Sequence, residues 1–288
     1  MIEVPAGFGH ALDGARDWIA DLPKLATHAC AAWELSPDGD LMSGMTAVVL
    51  PVRRADGSPA ALKLVWQDTE TRGEPLALRA WDGDGAVRLL EHDPDTGALL
   101  LERLHAHRSL LDVPIAEAVA VAAGLMRRLA VPVPAPATGF RRAEPVDVTA
   151  ENAAVGSPAP ARIAEAATEL GRELTANAAR LLVNEDGHYE NVLAADREPW
   201  LVIDPKPLSC DVEIGAVALL WNRIAEVDGE RGVRERLAAV VDAAGMDPEL
   251  ARNWAFYRAA SAWPWFHAQG FDVSPGACET ITRALSPR

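Results

Sequence analysis

The sequence predicts an α+β protein built in two parts: a small antiparallel sheet with flanking helices in residues 1–103, and a mainly helical part in residues 104–288. β-prone apolar runs are concentrated in the first hundred residues, whereas helical periodicity dominates after His105. With 288 residues and 49% hydrophobic content, the chain is long and apolar enough to form a substantial core.

Short apolar runs separated by turns predict the elements of the first part. Apolar residues recur at helical spacing near the N-terminus, and β-prone runs then follow in pairs around polar connections. The predicted elements are a helix at 11–33, strands at 45–52 and 60–66, a helix at 74–81, and strands at 86–90 and 98–101. The paired runs are typical of antiparallel strands joined by hairpin connections.

Amphipathic periodicity predicts helices through most of the second part. The predicted helices cover residues 115–129, 161–182, 214–227, 233–244 and 248–267. Proline-rich stretches at 131–136 and 156–160 separate some of these helices and are typical of stiff connectors.

Charge and composition exclude several classes of protein. The formal net charge of −15 weighs against a nucleic-acid partner and suits a cationic small molecule, although it can also serve solubility alone. Because no run of about 18 uncharged apolar residues and no leader-like N-terminus occurs, we expect a soluble cytoplasmic protein without a membrane partner. Cys30, Cys210 and Cys278 lie too far apart for zinc-site spacing and are expected to be buried or idle thiols. The oligomeric state stays open.

A lysine in an apolar strand is the first candidate for chemistry. Lys63 lies within residues 59–66, where a buried ammonium would need an anionic partner such as the phosphates of a nucleotide. Glu74, near the start of the next predicted helix, could hold Lys63 through an ion pair. The alternatives are an edge-strand lysine that points to water and a solvated glutamate in a first helical turn.

Two aspartates and an asparagine form the second candidate group. Asp186 lies in a polar loop five residues before Asn191, and Asp204 ends an apolar run. Asp186 is the candidate base for an acceptor hydroxyl, while Asn191 and Asp204 offer oxygen ligands to Mg²⁺. Each of the three could instead be an ordinary turn or capping residue. His188 has no second metal-ligand residue at suitable spacing, which favours a hydrogen-bonded loop histidine.

Further side chains are weaker candidates for nucleotide and substrate contacts. Ser43 and Gly44 form a loop that could cover phosphates with backbone N–H groups. Acidic Glu190, Asp211 and Glu213 could attract a cationic substrate, although Asp211 is most simply a helix N-cap. The remaining candidate, Trp265, belongs to an aromatic stretch that is more typical of a core. No P-loop, G-x-G-x-x-G or G-x-S-x-G motif is present.

The sequence Asp186 to Leu193 (DGHYENVL), followed by Asp204-Pro205-Lys206-Pro207, resembles the aminoglycoside phosphotransferases. It is most similar to their streptomycin 6-phosphotransferase and hydroxyurea phosphotransferase branch. The stretches 77–81, 85–90 and 97–104 resemble that branch as well, so the likeness covers roughly residues 33–225. The resemblance implies a bilobal protein kinase-like fold, which agrees with a small sheet followed by helices.

The resemblance also implies roles for individual residues. Lys63 would contact the α- and β-phosphates with Glu74 orienting it, Asp186 would be the catalytic base, and Asn191 and Asp204 would hold magnesium. The hinge would run from residue 100 to residue 104, with Leu100, Glu102 and Leu104 as the named candidates, and its backbone would meet adenine. Where the family usually has His-Gly before the catalytic aspartate, this chain has Asn184-Glu185. A second carboxylate beside the base is expected to weaken turnover more than nucleotide binding.

The expected activity is Mg²⁺-dependent transfer of the γ-phosphate of ATP, or of GTP, to a hydroxyl of a cationic aminoglycoside. Streptomycin, at its 6-hydroxyl, is the first expected substrate, and antibiotic resistance is the expected consequence. Hydroxyurea or another small hydroxylated metabolite is the alternative acceptor. A degenerate kinase that only binds nucleotide or antibiotic, and an unrelated α+β protein with an accidental motif, are the alternatives from other classes.

Overall fold

The fold is α+β, as predicted, and the structure, a computed structural model, describes residues 2–5, 7–9, 12, 14–135, 139–270 and 274–287. The strands are β1 (Ser36–Pro37), β2 (Met42–Ser43), β3 (Ala47–Arg53), β4 (Pro59–Val65), β5 (Leu89–His92), β6 (Ala98–Glu102), β7 (His105–Ser109), β8 (Val131–Pro132), β9 (Arg141–Arg142), β10 (Leu181–Asn184), β11 (Val192–Ala194), β12 (Trp200–Val202) and β13 (Pro207–Cys210). The helices are α1 (Arg16–Ala32), α2 (Glu74–Trp81), α3 (Ile115–Leu129), α4 (Val148–Ala154), α5 (Ala161–Asn177), α6 (Ala218–Trp221), α7 (Gly229–Ala244), α8 (Pro248–Gln269) and α9 (Ser274–Leu285). Within the described ranges, no helix has the length and apolarity needed to cross a membrane.

The first part is a six-stranded antiparallel sheet in the order β1-β3-β4-β6-β5, with β2 paired to β3. Helix α1 covers one face, because Leu22, Ala26 and Ala29 pack with Leu62 and Leu64 in a separate apolar cluster. Since side chains alternate across a strand, Lys63 lies on the opposite face, toward α2 and the second part.

The second part places helices around two short sheets. One sheet has the order β8-β10-β13-β9 and the other β12-β11-β7. The larger apolar core is formed by helices α3, α5, α7 and α8 and extends to α2 of the first part. Trp81 at the end of α2 donates from Nε1 to the carbonyl of Leu129 at 2.9 Å. The larger core is therefore continuous across both parts, beside the separate cluster under α1.

Several predicted boundaries were wrong because short apolar runs do not distinguish strands from helices. The helix predicted over 161–182 ends at Asn177, and Leu181–Asn184 is strand β10, paired with β8 and β13. The helix predicted over 214–227 is broken into 3₁₀ turns and α6, with a positive φ of 59° at Arg223. The strand predicted at 86–90 lies at Leu89–His92. Ala11 and Pro136, at ends of predicted segments, lie outside the described residues.

The packing of α5 against α8 gives a stability prediction. A Cβ atom added at Gly171 in α5 would lie 2.3 Å from Cε2 of Tyr257 in α8, whereas nothing lies within 4 Å of one added at Gly124 in α3. Gly124→Ala is expected to raise the free energy of unfolding by about 0.5–1 kcal/mol. Gly171→Ala is expected to lower it by about 1–3 kcal/mol, because the added methyl group overpacks the interface. Urea unfolding of both variants checks this, and equal gains would contradict the packing.

Candidate active site

The site is built around Lys63, which β4 holds in the interior. Strand β4 lies in the middle of the sheet, between β3 and β6, and Lys63 is 3% exposed. Its Nζ lies 2.7 Å from both carboxylate oxygens of Glu74 and 2.5 Å from Oδ1 of Asp204. The lysine is therefore not an edge residue that points to water, and it joins the sheet, helix α2 and the second part at one point.

The electrostatics of this cluster follow from burial and opposite charge. Burial alone would lower the pKa of the Lys63 ammonium, but the Asp204 and Glu74 carboxylates outweigh it and raise that pKa. Burial raises the pKa of Glu74, against the attraction of Lys63. Partial burial would also raise the pKa of Asp204, but Lys63 outweighs it and lowers that pKa. Lys63 is therefore a fixed positive charge at neutral pH.

The loop between β10 and β11 carries Asp186 and Asn191. Asn191 is buried, and its Nδ2 donates to the carbonyl of Asp186 at 3.1 Å, which orients the amide. Asn184, at the end of β10, accepts from the backbone N–H of Asp186 at 3.1 Å and of Lys206 at 2.9 Å through one oxygen, Oδ1. A single buried amide thus holds the loop of Asp186 against the loop that follows Asp204.

Asp204 lies beside Asn191 because β11 and β12 are paired. Val192 faces Val202 in this ladder, and the N–H of Ile203 donates to the carbonyl of Asn191 at 2.8 Å. Asp204 follows with a φ of +48°, a conformation that few residues other than glycine adopt and that asparagine and aspartate tolerate best. Its side chain is 40% exposed, so the carboxylate is open to a ligand.

Lys206 completes the site and was not among the predicted site residues. Its Nζ lies 3.4 Å from Oδ2 of Asp186 and 3.2 Å from Oε2 of Glu70. Burial would lower the pKa of Lys206, but Asp186 and Glu70 outweigh it and raise that pKa. Its position between two prolines, two residues after Asp204, was the signal that could have identified it.

Glu185 is bound by two arginines that sequence reasoning also missed. Its carboxylate, which is 5% exposed, forms ion pairs with Arg141 of β9 and Arg258 of α8. The charge that was expected to disturb Asp186 is therefore paired. Arg258 could have been suspected, because it is a single cation in an apolar and aromatic stretch of helix, by the same argument that identified Lys63.

The other predicted nucleotide-contacting residues lie in different surroundings. The loop of Ser43 and Gly44 joins β2 to β3, and the strand register places it at the Lys63 end of the sheet. Leu100 lies inside β6 with a strand on each side and its side chain in the cluster under α1. Glu102 forms an ion pair with Arg197, and Leu104 packs on the larger core just before β7.

The predicted substrate-contacting residues divide into two groups. Glu190 is exposed on the loop of Asp186, and Asn222 donates to it at 3.1 Å. The two oxygens of Asp211 accept instead from the N–H of Ala179 and from Trp254, each at 2.9 Å. Glu213 is buried and accepts from the N–H of Asp247 at 3.1 Å, and its burial raises its pKa. Asp211 and Glu213 therefore hold the ends of helices and strands together.

Trp265 lies on the surface near the end of α8 and is 47% exposed. Its ring contacts that of Phe266, with centroids 5.1 Å apart, and Phe266 in turn contacts Trp221. Trp221 is the residue before Asn222, the partner of Glu190. A line of aromatic side chains therefore extends from Trp265 toward the loop of Asp186, whereas Trp254 and Tyr257 of the same helix belong to the core.

These groups suit phosphoryl transfer, which requires fixed charges and positioning more than covalent chemistry from the protein. A buried lysine and its glutamate can hold phosphates, and an aspartate in a neighbouring loop can orient a hydroxyl. The ion pairs of Lys63 with Asp204 and of Lys206 with Asp186 join the two groups through residues 204–206. Fold and site together define a phosphotransferase of the kinase-like class.

Comparison with known proteins specifies the family. The profile of the "Aminoglycoside/hydroxyurea antibiotic resistance kinase" family matches residues 32–270, and the chain belongs to that family. It is 39% identical to the streptomycin 6-kinase of Streptomyces griseus over 99% of this chain and 97% of that relative. It is 42% identical to the hydroxyurea phosphotransferase of Kitasatospora aureofaciens over 92% of this chain and 78% of that one.

Solved structures confirm the kinase-like fold. A thermostable mutant of aminoglycoside phosphotransferase APH(4)-Ia, in ternary complex with AMP-PNP and hygromycin B, matches with a TM-score of 0.62 at 14% identity. The match covers 92% of this chain and 99% of that structure. At this identity the likeness concerns the fold alone.

Proposed function

We propose that the chain transfers the γ-phosphate of a nucleoside triphosphate, with Mg²⁺, to the 6-hydroxyl of streptomycin and so confers resistance to it. The observation that carries the proposal is the contact of Lys63 with both Glu74 and Asp204, two residues before the lysine that pairs with Asp186. The high identity to a streptomycin 6-kinase over nearly the whole chain supports the choice of acceptor. A cytoplasmic location, where nucleoside triphosphates are available, is part of the proposal.

Asn191 and Asp204 would hold the metal ion. Their amide and carboxylate oxygens are the hard ligands that Mg²⁺ prefers, and two protein ligands completed by phosphates and water are its usual coordination in such enzymes. The exposed carboxylate of Asp204 and the oriented amide of Asn191 fit this requirement. When bound, Mg²⁺ neutralises charge on the β- and γ-phosphates.

The side chains of the protein then have separate tasks. Lys63, held by Glu74, binds the α- and β-phosphates. Asp186 accepts the proton of the acceptor hydroxyl. The oxygen of that hydroxyl forms a bond to the γ-phosphorus, and the bond from this phosphorus to the oxygen that bridges it to the β-phosphate breaks. The products are a phosphate ester and a nucleoside diphosphate, with the proton first on Asp186.

The nucleotide would lie between the sheet and the second part. The loop of Ser43 and Gly44 would cover its phosphates, since the strand register places it at the Lys63 end of the sheet. The backbone between Glu102 and Leu104 would meet the purine base of the nucleotide. The backbone of Leu100 is less suitable, because β6 is paired with a strand on each side there. ATP and GTP both suit these contacts.

The acceptor would lie beside Asp186 and Glu190 and against the aromatic line that ends at Trp265. Carboxylates and the faces of indole rings both attract guanidinium and ammonium groups. The formal net charge of −15 adds a general attraction for cations. An aminoglycoside suits this surface better than a neutral acceptor does.

Direct assay of the purified protein tests the proposal. Incubation with Mg-ATP or Mg-GTP and streptomycin is expected to yield a monophosphate ester, which mass spectrometry detects and NMR assigns to the 6-hydroxyl. Streptomycin left unmodified would contradict the choice of acceptor. Hydroxyurea is the second candidate, because the relative from Kitasatospora aureofaciens is 42% identical. Its phosphorylation in the same assay, with streptomycin unchanged, would favour it.

A further inference from the structure

Lysine is rare in this chain and is concentrated at the site. Of the 27 basic residues only three are lysines, at positions 24, 63 and 206, and the others are arginines. Lys24 lies on α1 with an 83% exposed side chain, whereas Lys63 and Lys206 both contact carboxylates of the site. Lysine provides a compact point charge on a flexible stem, while arginine provides a planar fork. The use of lysine at both inner positions indicates a shared demand for the compact charge.

Lys206 is held in a fixed relation to the candidate base. Asn184 accepts from the backbone N–H groups of Asp186 and Lys206 through the same oxygen, and the N–H of Glu185 donates to the carbonyl of Lys206 at 3.2 Å. Pro205 and Pro207 restrict the backbone on either side. The Nζ atom 3.4 Å from Oδ2 of Asp186 is thus positioned by the scaffold.

The second partner of Lys206 comes from the other part of the molecule. Glu70 precedes α2, and its carboxylate is half exposed. A turn in which Asp68 accepts from the N–H groups of Glu70 and Thr71, at 2.7 and 2.9 Å, sets its place. The close approach of Gly73 to Pro207, where an added Cβ would lie 3.0 Å from Cγ, keeps this loop against the loop of Lys206.

We propose that Lys206 is a further catalytic residue, which exchanges the carboxylate of Glu70 for the oxygens of the transferred γ-phosphoryl group. The inference rests on the proposed function. If Asp186 binds the acceptor hydroxyl, the γ-phosphorus lies within a few ångströms of it, and so does the Nζ of Lys206. A fixed cation at that position stabilises the charge on the equatorial oxygens of the transition state.

The pairing of Lys206 with Glu70 is the contact that a phosphate can replace. An ion pair with a half-exposed carboxylate is weak, because water screens the attraction between the two charges. A phosphoryl group carries more charge and more acceptor oxygens than that carboxylate. Lys63 is different, because both carboxylate oxygens of Glu74 hold it in the interior. We expect this ion pair with Glu74 to remain when nucleotide binds.

Differential acylation of the lysines tests the inference on the unmodified protein. The chain is treated with an amine-acylating reagent alone, with Mg-ADP and with Mg-AMP-PNP, and peptide mass mapping follows each lysine. AMP-PNP is expected to slow acylation of Lys206 at least fivefold more than ADP does, because only AMP-PNP carries a γ-phosphoryl group. Lys24 is the internal control and should react equally in all samples. Equal rates at Lys206 with the two nucleotides would overturn the inference.

Variants provide a second, independent measurement. Lys206→Met is expected to lower kcat by about 10²–10³-fold, the usual effect of losing one donor to transition-state charge. It should also abolish the difference in affinity between AMP-PNP and ADP, which a structural role would not change. Glu70→Gln is expected to tighten AMP-PNP binding about twofold to fivefold by releasing Lys206. A kcat of Lys206→Met within threefold of the parent would overturn the inference.

The two levels of the proposal fail differently. If neither nucleotide raises the melting temperature of the parent protein and no acceptor is phosphorylated, the proposed function falls and the role of Lys206 falls with it. If the parent protein binds both nucleotides and turns over, while Lys206 is protected equally by them, only the role of Lys206 is overturned. Should Lys206→Met not fold, the acylation result on the parent protein decides alone.

Discussion

Asp186→Asn is expected to lower kcat by about 10²–10⁴-fold while the protein keeps its fold and its nucleotide affinity. Oδ2 of Asp186 lies 3.4 Å from Nζ of Lys206 and 4.0 Å from Nε2 of His188, and Lys206 keeps Glu70 as a partner. The buried contacts of the loop run through backbone groups and Asn184, which the substitution leaves in place. Initial rates and thermal shifts with AMP-PNP measure the two effects separately.

Asp196→Asn is the matched control, because Asp196 lies on an exposed turn and pairs only with the surface residue His105 in the described structure. Its kcat is expected to stay within about twofold of the parent, as is usual for a surface change. The comparison also decides between an enzyme and a degenerate binder. If the parent protein binds nucleotide but has no measurable turnover, Asp186→Asn cannot lower kcat, and the protein is a degenerate binder.

The core of the site could be predicted because its chemistry is visible in single residues. A lysine in an apolar strand requires a buried partner, and the structure provides Glu74 and Asp204. The antiparallel strands at 47–53 and 59–65 and the helix from Glu74 were predicted within a few residues, because local periodicity determines them. At these positions the local hydrophobic pattern and the need of a buried charge for a partner predict the same structure.

The remaining features depend on contacts between segments far apart in sequence. The first half of strand β10, Leu181 and Leu182, was predicted as the end of a helix, since nothing local shows that β8 and β13 will pair with this segment. The helix predicted over 214–227 is interrupted at Arg223, which has a φ of +59° and donates to the carbonyls of Leu110 and Val113, more than 100 residues earlier in the chain. Hydrophobic periodicity within one segment carries no information about such contacts between distant segments.

The same limit explains the treatment of Glu185. From sequence alone a glutamate beside Asp186 is an unpaired charge, and reduced turnover is the natural expectation. Its partners are 44 residues before and 73 residues after it, at Arg141 and Arg258. Because Glu185 is paired, it does not disturb Asp186 as an isolated charge, and it connects the loop of Asp186 to helix α8. The loop of Asp186 is thus fixed by charged contacts at two points, Glu185 with its arginines and Asp186 with Lys206.

Glu185→Gln is expected to lower the free energy of unfolding by about 3 kcal/mol, because it leaves two partly buried arginines without their anion. For a chain of this size that corresponds to a fall in Tm of roughly 4–6 °C. Urea unfolding measures the first quantity and a thermal melt the second. Glu279→Gln, which removes an exposed pair with Arg283 on α9, is the control and is expected to cost less than about 0.5 kcal/mol.

A double variant separates the ion pair from other effects of the substitution. Arg258→Met alone is expected to destabilise the protein, because Glu185 loses one of its two cations. If the two side chains interact as the structure shows, Glu185→Gln combined with Arg258→Met costs at least about 1 kcal/mol less than the sum of the single changes. Strict additivity would show that Glu185 and Arg258 do not stabilise the loop of Asp186 through each other. A lower kcat in Glu185→Gln at temperatures where it stays folded would show that the pair also positions the base.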